Sequence, residues 1–228
     1  WPMIPCAFRS FLAAAALGVS LAGPAFAQDA AGAVPQIAES EAFQAAKAQL
    51  AQDFDRTVAD IITLTEIPAP PFQEEARGKA YRDMLAAHGL SEVTTDAEGN
   101  VMGLRRGSGP AGGPVVVVSA HLDTVFPADT DVKVRREGTR LMAPGVGDDT
   151  RSLAVLLAYV RALDAVKIQT EKDILFVGTV GEEGPGDLRG VRHFFTQGPS
   201  QDRVAAFFAF DGSAPTRVVT GAVGSKRY

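Results

Sequence analysis

The chain has 228 residues, 46% of them hydrophobic, which suits one globular domain with a buried core and the start of a second. Its formal net charge of -5, with no Lys/Arg block, argues against nucleic acid as a partner. The three histidines are His88, His121 and His193, so any metal site must be built mainly from carboxylates.

Met3 to Ala27 runs from a charged start at Arg9 through an apolar stretch, Phe11 to Leu21, to Ala25-Phe26-Ala27. That is the order of a secretory signal peptide, with cleavage expected after Ala27 and a periplasmic or secreted product. The apolar run is shorter than the ~20 residues a membrane span needs, so no stable span is expected after cleavage. The single cysteine, Cys6, lies inside this segment, and the mature chain would carry no thiol.

Residues 28 to 40, rich in alanine, glycine and small polar residues, read as a linker. A helix is expected from Ser40 to Thr65, broken near Gln52-Asp53, with Ile61, Ile62 and Leu64 on its buried side. Pro68, Pro70 and Pro71 end it. A second helix covers Glu74 to His88 and stops at Gly89. Short β-rich runs follow at Val93 to Thr95, Val101 to Arg105 and Val115 to Ser119. The last is apolar without alternation, as in a central strand covered on both faces. A helix from Ser152 to Leu163, a strand from Ile174 to Val180, a helix around Leu188 to Phe195 and a strand from Val204 to Phe210 complete the pattern. Strands alternating with helices predict an α/β domain whose mixed sheet is mostly parallel. Sites in such sheets gather at the C-terminal ends of the strands.

Four clusters fall at such ends. His121 and Asp123 follow the valine run, and two readings are equally open: a histidine ligand steadied by a carboxylate, or a hydrogen-bonded pair closing a strand. Asp148-Asp149, reached through Gly145-Val146-Gly147, sits at a helix start, where acids also serve as plain caps. Glu182-Glu183, between Gly181 and Gly184, is either an exposed turn or a pair divided into ligand and general base. Asp211 precedes Gly212, as a turn aspartate would. Converging on one edge, these groups would favour one or two divalent ions of the zinc, cobalt or manganese type.

The ordered series His-x-Asp, Gly-x-Gly-Asp-Asp, Glu-Glu-Gly and Asp-Gly resembles the metallopeptidase-20 family, over Asp53 to Tyr228, with the peptidase T-like branch most similar through Gly181 to Gly190 and Phe210-Asp211-Gly212. That family also includes carboxypeptidase G-type enzymes, succinyl-diaminopimelate desuccinylase and acetylornithine deacetylase. The resemblance implies a di-zinc peptidase-like catalytic domain over 53–214, after the signal peptide at 1–27 and a linker and N-terminal helix at 28–52, with a lid domain begun at 215–228. It implies that His121 and Asp211 hold one metal, that Asp148 bridges two, and that Glu183 holds the second. It implies that Asp123 orients His121, that Glu182 is the general base for a bridging water, and that the Asp148–Asp149 peptide is cis.

Two departures stand out. Thr150, Arg151 and Ser152 replace the Lys and Gly that usually follow the paired aspartates. The family's distal histidine ligand would lie beyond Tyr228, since His193 and His88 read as structural; the chain is thus expected to be an N-terminal portion, inactive or nearly so by itself. The implied substrates are small peptides, cleaved by an exopeptidase of the aminopeptidase kind, or N-acyl amino acids cleaved by a deacylase. The implied assembly is a homodimer through the lid. A non-catalytic metal- or peptide-binding role is the rival from another class, and the general base argues against it. No Gly-x-Ser-x-Gly or phosphate loop is present, and Asp129-Thr130-Asp131 lacks the glycine and final glutamate of a calcium loop.

Overall fold

The computed structural model describes residues 25–212 and 216–221. The chain divides into two units, residues 1–40 and 41–228. In the first, helix α1 spans Ala25–Glu39. The segment expected to be a linker is therefore helical: alanine, the residue with the least side-chain entropy to lose, outweighs the single Gly32 and Pro35. Most of the expected signal peptide lies outside the described residues. No helix among those described is long and apolar enough to cross a membrane.

The second unit begins with α2 (Glu41–Gln52) and α3 (Phe54–Thr65), parted at Asp53 where a break was expected. The Asp53 carboxylate makes no capping bond; with Asp60 it grips Arg161, whose Nη1 lies 2.7 Å from the Asp60 carboxylate. Helix α4 (Glu75–Ala87) closes on His88 and on Gly89 at φ +73°. Strands β1 (Ser91–Thr95), β2 (Val101–Arg105) and β3 (Val115–His121) follow. Next comes a small hairpin of β4 (Arg135–Glu137) and β5 (Arg140–Met142). Then come α5 (Thr150–Ala165), β6 (Asp173–Thr179), α6 (Arg189–Gln197) and β7 (Val204–Ala209).

The main sheet has the order β1-β2-β6-β3-β7. β3 runs parallel to both β6 and β7, while β2 pairs antiparallel with β1 and β6, so the sheet is mixed, with its parallel part at β6-β3-β7. The alternation of side chains gives it two apolar faces. Val101, Ala120 and Phe176 meet Leu64 of α3, Tyr81 and Leu85 of α4, and Leu153, Leu156, Leu157 and Val160 of α5. On the opposite face Val115, Val117, Leu175 and Val177 meet Phe194 of α6. The valine run is thus covered on both sides, as its lack of alternation predicted. Burial of each such side chain contributes about 1.5–3 kcal/mol, which anchors the parallel strands so that their ends come into register. His121 pairs with Thr179, and Ser119 with Ala209. The lid strand expected after residue 215 falls largely outside the described residues; residues 217–221 carry no regular structure.

Candidate metal centre

Three parallel strands end side by side, and each delivers part of the cluster. β3 ends in His121, β6 leads through Val180 and Gly181 to Glu182 and Glu183, and β7 leads to Asp211. The fourth part comes from the turn before α5, where Asp148 and Asp149 are joined by a cis peptide bond, as the family resemblance implied. Gly145, at φ +75°, lets this turn pass Thr124, whose hydroxyl would stand 3.1 Å from an added Cβ.

Ligand atoms of His121, Asp148, Asp149 and Asp211 lie within 4.8 Å of one another, and so do those of His121, Glu182 and Glu183. His121 is common to both groups. It is buried, and its Nε2 lies 2.8 Å from Asp148 Oδ1. Asp148 and Asp211 face solvent, while Glu182 and Glu183 are partly buried. The cluster is therefore closed behind His121 and open in front. All six residues singled out from the sequence are brought to this edge.

Asp123 lies between His121 and the acidic loop. His121 Nδ1 is 3.0 Å from the main-chain carbonyl of Asp123, and 3.6 Å from its carboxylate. The carboxylate, fully buried, accepts the backbone N–H groups of Glu182 and Glu183, both at 2.9 Å. The residue thus meets the His121 ring through its backbone carbonyl at hydrogen-bond distance and through its carboxylate at 3.6 Å, and meets the acidic loop through its carboxylate. Asp149 holds the other side: its Oδ2 accepts the His121 backbone N–H at 3.0 Å, and its buried Oδ1 has no hydrogen-bond partner among the described residues.

The charges crowd one another. Burial, with repulsion from neighbouring carboxylates, raises Glu182 and Glu183 above the ordinary carboxyl range, although His121 opposes this. Burial also pushes Asp149 up to about 7. Burial by itself would favour a neutral His121, yet the carboxylates of Asp123, Asp149 and Glu182 outweigh it and raise the imidazole to about 10. One histidine among clustered, half-desolvated carboxylates, with a buried oxygen left unpaired, is a donor set that fits divalent metal ions.

The other two histidines stand outside the cluster. His88 caps α4 with its Nε2 3.2 Å from Arg161, and His193 sits on α6 with Nε2 3.8 Å from Asp96. Residues around the site escape notice in the sequence. Arg77 is 1% exposed and donates to the carbonyls of Ile67 and Leu122, next to Asp123. Glu74 precedes α4 as an ordinary acidic cap would, yet its carboxylate makes no cap and reaches Gly181 instead.

Comparison with known proteins places this arrangement. Human carnosine dipeptidase 1 superposes with a TM-score of 0.62 at 16% identity, over 74% of this chain and 41% of that one. Aminopeptidase PepT from Bacillus cereus gives 0.57 at 21% identity, over 70% of this chain and 44% of that one. A dinuclear metal-binding peptidase of the M20 family from Bacillus subtilis gives 0.54 at 18% identity, over 73% of this chain and 44% of that one. The chain thus spans two fifths or a little more of each, and shares their fold over that part. No curated protein sequence matches it. A sequence model described as Peptidase family M28 matches residues 100–223, more than half of the chain and the stretch that holds His121, Asp123, Asp148, Glu182, Glu183 and Asp211. By that match the chain belongs to peptidase family M28.

Proposed function

We propose that this chain carries the catalytic centre of a metal-dependent exopeptidase that hydrolyses amide bonds of small peptides. The observation that carries the reading is the meeting of two acidic groups on one histidine at the C-terminal edge of the parallel strands: ligand atoms of Asp148, Asp149 and Asp211 lie within 4.8 Å of one another and of His121, and so do those of Glu182 and Glu183. His121, Asp148 and Asp211 would hold one ion, and Glu183, with Asp148 shared, would begin the position of a second. Zinc suits this donor set, and cobalt or manganese would fit it too. When bound, such ions lower the pKa of water and polarise a carbonyl.

The remaining work falls to the protein. Glu182 is the general base: it is half-buried, and its raised pKa suits a group that takes a proton and returns it to a leaving amine. The adjacent N–H bonds to Asp123 keep Glu182 and Glu183 side by side, so one can bind metal while the other moves the proton. An aminopeptidase or dipeptidase activity is supported by the neighbours of like fold, which include enzymes of both kinds. The relatives of like fold extend beyond the matched part, and a further ligand for the second position, a lid and any pairing of copies belong to the proposal for the whole protein. Export through residues 3–27 is part of the same proposal, and the mature N-terminus should then read Gln28.

The test compares the chain with a version extended to the full length of its relatives, each supplied with zinc and assayed on di- and tripeptides. The extended protein should turn over, and its Glu182→Gln variant should keep its metals while losing about 100-fold or more in kcat. Near-normal turnover in that variant would remove Glu182 from the mechanism. Equal specific activity in the short and extended chains would show that the second position needs no outside ligand.

A further inference from the structure

The loop that carries Glu182 and Glu183 is held at four consecutive backbone amides by side-chain oxygens from other elements. Val180 N–H donates to Asn100 Oδ1 at 3.1 Å, and Gly181 N–H to Glu74 Oε1 at 3.0 Å. Glu182 and Glu183 N–H donate to the two oxygens of Asp123. All three acceptor residues are buried, at 0%, 4% and 0% exposure for Asn100, Glu74 and Asp123. Four amides in a row satisfied in this way leave the loop little freedom to shift its two carboxylates.

The neck of the loop is closed as well. Gly190 N–H donates to the Val180 carbonyl at 3.0 Å and Arg189 N–H to the Gly181 carbonyl at 3.2 Å. Two side-chain rungs lie over these bonds. Asn100 joins residue 180 to residue 190, because its Nδ2 donates to the Gly190 carbonyl at 2.9 Å. Glu74 joins residue 181 to residue 189, because the Oε1 that accepts Gly181 also accepts Arg189 Nη2 at 2.7 Å. Arg189 is fixed in turn by Glu98 and lies over the Phe72 ring, 4.9 Å from its centroid. The packing tolerates no Cβ at this neck: one at Gly190 would stand 2.3 Å from Asn100 Oδ1, and one at Gly181 would stand 2.6 Å from Arg189.

We propose that Glu74 and Asn100 are positioning residues for the metal centre, setting the place of Glu182 and Glu183 through the backbone of residues 180–183. This rests on the reading of Glu182 as general base and Glu183 as ligand. Neither residue touches the cluster, so their effect passes entirely through the loop. Outer-shell partners of this kind typically change metal affinity or activity by about 10–100-fold when removed.

Hydrogen exchange on the metal-free chain tests the positioning without any catalysis. Glu74→Ala and Asn100→Ala should speed exchange of the amides at 180–183 by tenfold or more, while those of the β3 core at Val117 and Val118 keep their rates. Zinc titration of the same variants should show a 10–100-fold weaker affinity at the Glu183 position. Glu74→Gln, which keeps an oxygen at Oε1, should restore most of both. Wild-type exchange at 180–183 in both alanine variants would overturn the proposal. So would exchange that rises equally through β3 and β6, which would mark these residues as supports of the whole fold. Glu183→Ala serves as the control: if it binds zinc as the wild type does while the loop exchange still responds to Glu74→Ala, the ligand assignment fails and the positioning role stands.

Discussion

Replacing Asp123 with asparagine separates two accounts of what this residue does. In the structure its carboxylate takes two amide bonds, both 2.9 Å, at a site with no solvent exposure, while His121 leans on its main-chain carbonyl. Asparagine keeps one oxygen and turns an amino group toward the other N–H. One charge-assisted bond is lost and one buried donor is left facing another. Bonds to charged groups are worth about 1.5–3 kcal/mol, and an unmet buried donor costs about 1–3, so a net loss of about 2.5–6 kcal/mol is expected. For a domain of this size that is a large share of the ~5–15 kcal/mol a domain has, and it lowers Tm by roughly 5–24 °C. Denaturant titration in chelator measures it, followed by zinc titration of the folded variant. Zinc should weaken first at the position of Glu183, because the carbonyl that meets His121 is unchanged. A variant within about 0.5 kcal/mol of the wild type would refute the clamp. So would a variant that loses the His121 position while the Glu183 position stays intact, since that is the outcome if the carboxylate chiefly orients the ring.

Three further outcomes follow from buried charge. Arg77→Met leaves the Ile67 and Leu122 carbonyls without their donor and the Asp123 charge without its neighbour, so it should cost about 2–5 kcal/mol in denaturant titration, and Arg77→Lys should recover only part of that. The metal-free fold should lose stability as pH rises. Asp149, raised to about 7, favours the fold below the ordinary aspartate range and stops doing so as pH climbs through 7. His121, raised to about 10, favours it below the ordinary histidine range and stops through 10. Metal must displace the His121 proton, so zinc binding at pH 7 should release protons, seen as a dependence of the calorimetric heat on buffer ionisation; binding with no proton release contradicts the assignment.

Most of the fold could be read from the residues because its signals are local. Four valines at 115–118 announce a buried strand, and Pro68 and Gly89 mark helix ends within a turn of where they occur. The hairpin β4–β5 was missed because Arg135-Arg136-Glu137 and Arg140-Leu141-Met142 are short and charged, with no apolar alternation to read. Helix α1 was missed because small residues suit both linkers and helices. The six cluster residues were legible for a related reason: each adjoins a predicted strand or helix. Glu74, Arg77 and Asn100 were not. Glu74 looks like a cap and Asn100 like a turn, and their partners at Gly181 and Val180 are 107 and 80 residues away in the chain. Of the contacts of Asp123, the one to His121 is legible because that residue is two positions off, whereas the amides its carboxylate accepts are 59 and 60 away.

The most direct test of the metal centre is the zinc retained after equilibrium dialysis, measured by elemental analysis on the folded wild type, His121→Ala, Asp148→Asn and His193→Ala. His121 belongs to both ligand groups, so His121→Ala should lose the bound zinc, Asp148→Asn should lose most of it, and His193→Ala should match the wild type. Unchanged zinc in His121→Ala and Asp148→Asn would show that the cluster at the strand ends is not where this protein holds metal.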